Sequence, residues 1–156
     1  MSTDHRVVVL QKERGLNESL EKLLERIDPK TSQSVFFTTV PLVAQQACDE
    51  GAYAILSCNH LGTEYDATEL AARCRMENSS LIFITYSTVG VCNPTHPIAL
   101  IDAHIDKSAL NMRADSISVV EIIAGLARGL SVEVLAAKYP EVLVISLVPS
   151  RVPSCV

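Results

Sequence analysis

The chain has 156 residues, a net charge of −5 at neutral pH, 48% hydrophobic residues and 20% charged residues. This balance predicts one globular domain with one core rather than a disordered chain. The sequence contains no block of Lys or Arg and no apolar run near the roughly 18 residues of a membrane span, so we expect neither direct nucleic-acid binding nor membrane insertion.

The chain contains an odd number of cysteines, and no pair of them has the C-x-x-C spacing. Reduced thiols in a cytoplasmic protein are therefore expected rather than a disulfide framework. The first six residues also lack the layout of a signal peptide. The cysteines are Cys48, Cys58, Cys74, Cys92 and Cys155.

In the first part of the chain, short apolar runs alternate with helical patterns. Asn17 is a candidate N-cap for the first helix, and Gly51 is a candidate terminator of the second. The predicted order is strand 6–10, helix 17–27, strand 34–40, helix 41–50 and strand 52–58.

The alternation continues in the second part of the chain. The predicted order is loop 59–65, helix 66–76, strand 80–85, a turn-rich segment 87–97, strand 103–106, helix 117–130, short helix 132–138 and an apolar segment 141–148. Ser131 is the candidate N-cap of the short helix. Strands that alternate with helices predict an α/β domain, doubly wound, with a parallel five-stranded sheet of the flavodoxin type. We interpret residues 1–130 as this domain and residues 131–156 as a C-terminal helix-strand extension.

Open parallel sheets bind ligands beyond the carboxyl ends of their strands. The candidate site residues therefore lie in 11–14, 58–60 and 85–88, and at Lys107. Lys107 could bind a phosphate or carboxylate, or it could pair with a nearby carboxylate such as Asp106 or Glu13.

Two local patterns resemble the receiver domain of two-component response regulators over residues 6–130. These are the strand end Ile82-Phe83-Ile84-Thr85 and the stretch Ala103-His104-Ile105-Asp106-Lys107-Ser108 ahead of the last long helix. Receivers hold Mg²⁺ with an acidic pair after the first strand and phosphorylate an Asp at the end of the third. A dication and a phosphoryl group need oxygen ligands and a nearby cation.

Part of the receiver pattern is retained. Lys107 matches the receiver lysine at the end of the fifth strand, and Thr85 matches the hydroxyl residue at the end of the fourth. His104 falls where receivers usually carry a switch aromatic residue.

The metal and acceptor positions depart from the receiver pattern. The acidic pair falls on Gln11 and Lys12, with Glu13 adjacent, and the acceptor falls on Cys58, or on Ser57 if the register moves by one. The resemblance therefore implies a pseudo-receiver, which is a non-catalytic regulatory module that binds a protein partner in signal transduction or transcription control. We expect no enzymatic activity and no cofactor.

Two other interpretations remain open. The domain could be a different flavodoxin-like protein, or a small-molecule or metal sensor with Cys58, His60, Cys92 and Lys107 lining the pocket at the strand ends. Cys58, His60, Cys92 and His96 could bind Zn²⁺ tetrahedrally, although their spacing is not a recognised zinc pattern.

The apolar segment 141–148 should not be left exposed, because an unpaired strand edge invites association. It could join its own sheet, pair with another chain in a homodimer, or begin a linker to an output domain. Pairing in a homodimer is the favoured interpretation. The expected interaction face comprises residues 88–96, His104 and 116–126.

Overall fold

The computed structural model describes residues 6–58, 60–62, 65–87, 100–106 and 112–145, with backbone only for 60–62, 65, 106 and 112–115. Its centre is a six-stranded sheet. The strands are β1 (Val7–Leu10), β2 (Val35–Thr38), β3 (Ala54–Ser57), β6 (Ile82–Ser87), β7 (Ala103–Asp106) and β8 (Leu143–Ile145). A separate two-stranded ribbon joins β4 (His60–Gly62) to β5 (Tyr65–Asp66).

The order of strands across the main sheet is β2-β1-β3-β6-β7-β8. The first five strands in this order are parallel, and β8 pairs antiparallel with β7. This arrangement confirms the predicted doubly wound parallel sheet and its C-terminal helix-strand extension.

Helices cover both faces of the sheet. One core cluster packs α1, α5 and α6 against one face, and a second packs α3 and α4 against the other. Because its neighbours cover both faces, β1 consists of four fully buried apolar residues. The helices are α1 (Arg14–Ile27), α2 (Pro29–Ser32), α3 (Pro41–Asp49), α4 (Ala67–Glu77), α5 (Met112–Ala127) and α6 (Val132–Lys138).

Local signals place several helix ends correctly. Gly51 follows α3 with a φ of +89°, a conformation that glycine adopts without a side-chain penalty. Ser131 caps α6, since its hydroxyl accepts a hydrogen bond from the backbone N–H of Val134 at 3.2 Å. Both residues act as the sequence predicted.

The prediction for Asn17 was wrong. Helix α1 begins three residues earlier, after Glu13, so Asn17 lies inside the helix rather than at its cap. Its side chain is 5% exposed and donates a hydrogen bond to the backbone carbonyl of Thr38 at 3.0 Å. A tertiary partner on β2 therefore explains this residue better than a local cap does.

Two further boundaries differ from the predictions. Residues 59–65 were predicted as a loop, but the described part of this stretch includes β4 and the start of β5. Helix α5 begins at Met112 rather than at 117 and ends at Ala127 rather than at 130.

The apolar segment at the end of the chain joins its own sheet. Leu143, Val144 and Ile145 lie opposite Ile105, His104 and Ala103. The favoured prediction, that this strand pairs with another chain instead, was therefore wrong for the described residues. The interpretation that it adds to its own sheet is confirmed.

Several contacts anchor the extension to the rest of the fold. Leu135 and Leu143 are 1% exposed and belong to the same core cluster as α1 and α5. Gly125 leaves room for Leu135, since a Cβ atom on the glycine would lie 2.6 Å from a Leu135 methyl carbon. The Tyr139 hydroxyl donates a hydrogen bond to Glu121 Oε2 at 2.8 Å. The extension therefore shares the core of the sheet.

None of the helices in the described part of the chain is long and apolar enough to span a membrane.

Candidate functional site

The strand register places three polar residues, Ser57, Thr85 and His104, in one row across the sheet. Ser57 lies opposite Thr85, and Thr85 lies opposite His104. On the other side of Ser57, the row continues with Leu10 of β1. Residues in one row across a sheet point to the same face. The predicted site residue Thr85 and the predicted switch position His104 are thus direct neighbours.

Two more predicted residues lie just beyond this row. The backbone N–H of Cys58 donates to the carbonyl of Leu10 at 2.9 Å, and the N–H of Gln11 donates to the carbonyl of Thr38 at 3.1 Å. Gln11 is fully buried, and Cys58 is 7% exposed. Gln11 and Cys58 therefore both lie at the carboxyl end of the sheet, directly after the neighbouring strands β1 and β3.

The buried side chains at the ends of β1, β3 and β6 are uncharged. Gln11 is an amide, Cys58 a thiol, and Ser57 and Thr85 are hydroxyls. Lys12 and Glu13 follow Gln11 in an exposed loop, and Glu13 is the N-cap residue of α1. At these three strand ends, the arrangement offers hydrogen-bonding groups but no buried carboxylate for a hard dication.

A short hydrogen bond joins Thr85 to His104. Thr85 Oγ1 and His104 Nδ1 lie 2.6 Å apart, and the two side chains are 2% and 8% exposed. The threonine can donate to a bare Nδ1 or accept from a protonated one. The bond links β6 to β7, so a change at one residue is transmitted directly to the other.

Ser57 and Cys58 are the two residues predicted for the acceptor position. Ser57 is the last residue of β3 and is fully buried, and its hydroxyl donates to the carbonyl of Cys58 at 2.8 Å. Cys58 is the first residue after the strand. Both residues therefore lie at the site, and neither supplies a carboxylate.

His104 is buried, so its side chain is not available to contact a protein partner. It faces Val144 of β8 across the sheet, and most side chains of α5 from Val119 to Ala127 are buried. The expected interaction face was therefore wrong for His104 and for most of this helix. The part of that face at 88–96 lies outside the described residues.

Several predicted ligands cannot be placed. Lys107, Cys92 and His96 lie outside the described residues, and only the backbone of His60 is described. Within the described part of the chain, no group of three or more His, Cys, Asp or Glu residues could hold a metal ion. The zinc set and the sensor pocket therefore remain predictions.

Asp102, the residue before β7, carried no sequence signal. Its Oδ2 accepts a hydrogen bond from the backbone N–H of Phe83 at 2.8 Å and forms an ion pair with Arg75 of α4. The contact fixes the entry to β7 beside β6. Arg75 and Asp102 lie far apart in the chain, so local spacing could not identify the pair.

No protein-family model matches the sequence, and the comparison with curated proteins finds no match. Solved structures do resemble the fold. The isolated REC domain of RcsB from Salmonella enterica serovar Typhimurium, solved with phosphomimetic BeF3⁻, superposes with a TM-score of 0.55 at 14% identity, covering 81% of this chain and 90% of that one.

Two further structures agree. A CheY-like response regulator receiver domain from Methanospirillum hungatei gives a TM-score of 0.57 at 12% identity, covering 80% of this chain and 98% of that one. A protein described as one of a family of streptococcal redox sensors that evolved from two-component response regulators gives 0.58 at 17% identity, covering 86% of this chain. This chain spans only 55% of that protein.

These likenesses agree with the order of strands and the two helical layers. The chain therefore has the fold of response-regulator receiver domains, followed by an added helix and an antiparallel strand.

Proposed function

We propose that the protein is a pseudo-receiver, a non-catalytic regulatory module that binds a protein partner in signal transduction or transcription control. The observation that carries the proposal is the pair of uncharged residues, Gln11 and Cys58, at the ends of β1 and β3. A cytoplasmic location is part of the proposal and agrees with the reduced thiols expected from the sequence.

The physical argument concerns charge. Mg²⁺ binds carboxylates, water and phosphate oxygens, and it loses its hydration shell reluctantly. The neutral amide of Gln11 cannot offset the free-energy cost of removing water from Mg²⁺. The exposed Lys12 adds a positive charge to the same loop. Cys58 lacks the carboxylate that forms an acyl phosphate in receivers. Both Mg²⁺ binding and phosphoryl transfer to the protein are therefore disfavoured.

The test is intact-protein mass spectrometry after incubation with Mg²⁺ and acetyl phosphate. We expect no increase of about 80 Da, the mass of one phosphoryl group. An adduct at Cys58 or Ser57 would contradict the proposal, and Cys58→Ala and Ser57→Ala variants would assign it.

A matched variant controls for metal binding. Gln11→Asp, Lys12→Asp and Cys58→Asp together introduce carboxylates at the three positions. Mg²⁺ should raise the thermal midpoint of this triple variant, because bound metal offsets the repulsion between the carboxylates. It should leave the midpoint of the original chain unchanged. A rise in the original chain would show that a metal site survives.

We also propose that the protein forms a homodimer. Its support is the free side of β8, which ends the sheet in the described part of the chain and exposes 44% of Val144. Such an edge can pair with a second strand through backbone hydrogen bonds. In this dimer, β8 of each chain would stay paired with its own β7, and a strand of the second chain would add to its free side.

A further inference from the structure

Two cysteines meet where α3 packs against α4. Cys48 lies in the last turn of α3, and Cys74 lies near the end of α4. Both side chains belong to the core cluster on this face of the sheet, and they are 1% and 0% exposed. The thiols therefore face each other in an apolar interior.

Small side chains bring the two helices close together. Ala44 precedes Cys48 by four positions and Ala71 precedes Cys74 by three, and further alanines on both helices are buried in the same cluster. Because helix separation depends on the size of the side chains at the contact, alanines permit a close approach. The alanines are Ala44 and Ala47 on α3, and Ala67 and Ala71 on α4.

The two cysteines are neighbours in this cluster. The Cys74 side chain, burial and the negative charge of Asp49 all raise the pKa of Cys48 well above its usual range. Cys48 is therefore a protonated thiol at neutral pH. Oxidation will be slow until the end of α3 opens, because the thiolate is the reactive form.

We propose that Cys48 and Cys74 form an intramolecular disulfide when the protein meets a hydroperoxide such as hydrogen peroxide, which links α3 to α4. The cysteine sulfur of one thiolate attacks the peroxide O–O bond, giving a sulfenic acid and hydroxide, which takes up a proton to become water. The second sulfur then attacks the sulfenic sulfur, forms the S–S bond and releases a second water. The two thiols lose two electrons, and these reduce one peroxide.

Position favours this pair over the other described thiol. Cys58 is buried at the end of β3, outside the core cluster that holds Cys48 and Cys74. Cys48 is followed by exposed residues and by Gly51, so fraying of one helical turn would admit peroxide. The second thiol then lies in the same core cluster, which favours a disulfide over further oxidation of the sulfenic acid.

The test treats the full chain with hydrogen peroxide and maps disulfides by mass spectrometry of unreduced peptides. We expect a mass loss of about 2 Da from one disulfide and one linked peptide containing Cys48 and Cys74. The thermal midpoint should rise by about 5 °C and return after treatment with dithiothreitol. The reaction should accelerate as the pH rises, because a larger fraction of the attacking sulfur is then thiolate.

Two variants make the result specific. Cys58→Ala should form the same disulfide, whereas Cys48→Ala should abolish both the linked peptide and the reversible rise in thermal midpoint. If Cys48→Ala fails to fold, Cys74→Ala provides the same measurement. A disulfide between either residue and another cysteine would overturn the proposal, as would recovery of both residues as thiols after the other cysteines are oxidised.

Discussion

Thr85 and His104 are separated by 19 positions in the chain and are joined by a buried hydrogen bond. A buried polar group that loses its partner costs more than the bond contributes when it is intact, because water cannot replace the missing contact. The pair therefore constrains the end of the sheet where the candidate site lies.

Replacing Thr85 tests this contact. Thr85→Val keeps the shape of the side chain but removes the hydroxyl that meets His104 Nδ1. We expect the free energy of unfolding to fall by about 1–2 kcal/mol, measured by denaturant titration.

The control for this change is Thr85→Ser, which keeps a hydroxyl at the same position and should cost less than Thr85→Val. In a double-mutant cycle with His104→Phe, the two changes should be non-additive. Equal losses for the valine and serine variants, or full additivity, would show that the hydrogen bond contributes little.

At the scale of elements, α6 and β8 each contribute a buried side chain to the hydrophobic core. Leu135 inserts beside Gly125 of α5, and Leu143 is buried on the same face of the sheet. The short helix carries its own cap at Ser131, yet seven residues are too few for a stable isolated helix. Its stability must come from packing.

This packing predicts a contrast between adjacent residues of α6. Leu135→Ala should lower the free energy of unfolding by about 2–4 kcal/mol, since it leaves a cavity against α5. Val134→Ala should change it by less than about 0.5 kcal/mol, because that side chain is 51% exposed. Chemical denaturation of both variants provides the measurement, and similar losses would mean that α6 is not anchored through Leu135.

At the scale of the whole molecule, the outermost strands of the sheet among the described residues are β2 on one side and β8 on the other. The strand β8 covers the edge of β7 that would otherwise be open. On that side of the described sheet, the outer edge of β8 is therefore the surface that can pair with a second strand.

The proposed homodimer predicts a mass near twice the 16.9 kDa of one chain. We expect light scattering coupled to size-exclusion chromatography to show this mass at high micromolar concentration. Val144→Lys should shift the protein to the monomer, because a lysine on an edge strand opposes strand pairing.

Val134→Lys is the matched control for the dimer. It places the same charge on an exposed position of α6 and should leave the mass unchanged. A monomer in the original chain would refute the homodimer, and equal dissociation by both variants would place the contact elsewhere than β8.

Much of the fold followed from local pattern. Short β-branched runs alternating with helical periodicity were sufficient to predict the doubly wound sheet, because burial on two faces requires continuous apolar strands. Gly51 and Ser131 marked helix ends correctly, since a positive φ and an N-cap depend on one residue and its nearest neighbours. The uncharged side chains of Gln11 and Cys58 could also be identified without a structure.

Other features depended on contacts between distant segments. Asn17 has the side chain of a helix cap but bonds to β2. The apolar segment that contains β8 could have paired within its own sheet or with another chain, and it pairs with β7. The meetings of Thr85 with His104 and of Cys48 with Cys74 arise from strand register and helix packing. Hydrophobic periodicity is enough to predict which segments are buried and which chemical groups lie at the strand ends. Their partners become known from the fold alone, because periodicity indicates how much of a residue is covered and carries no information about what covers it.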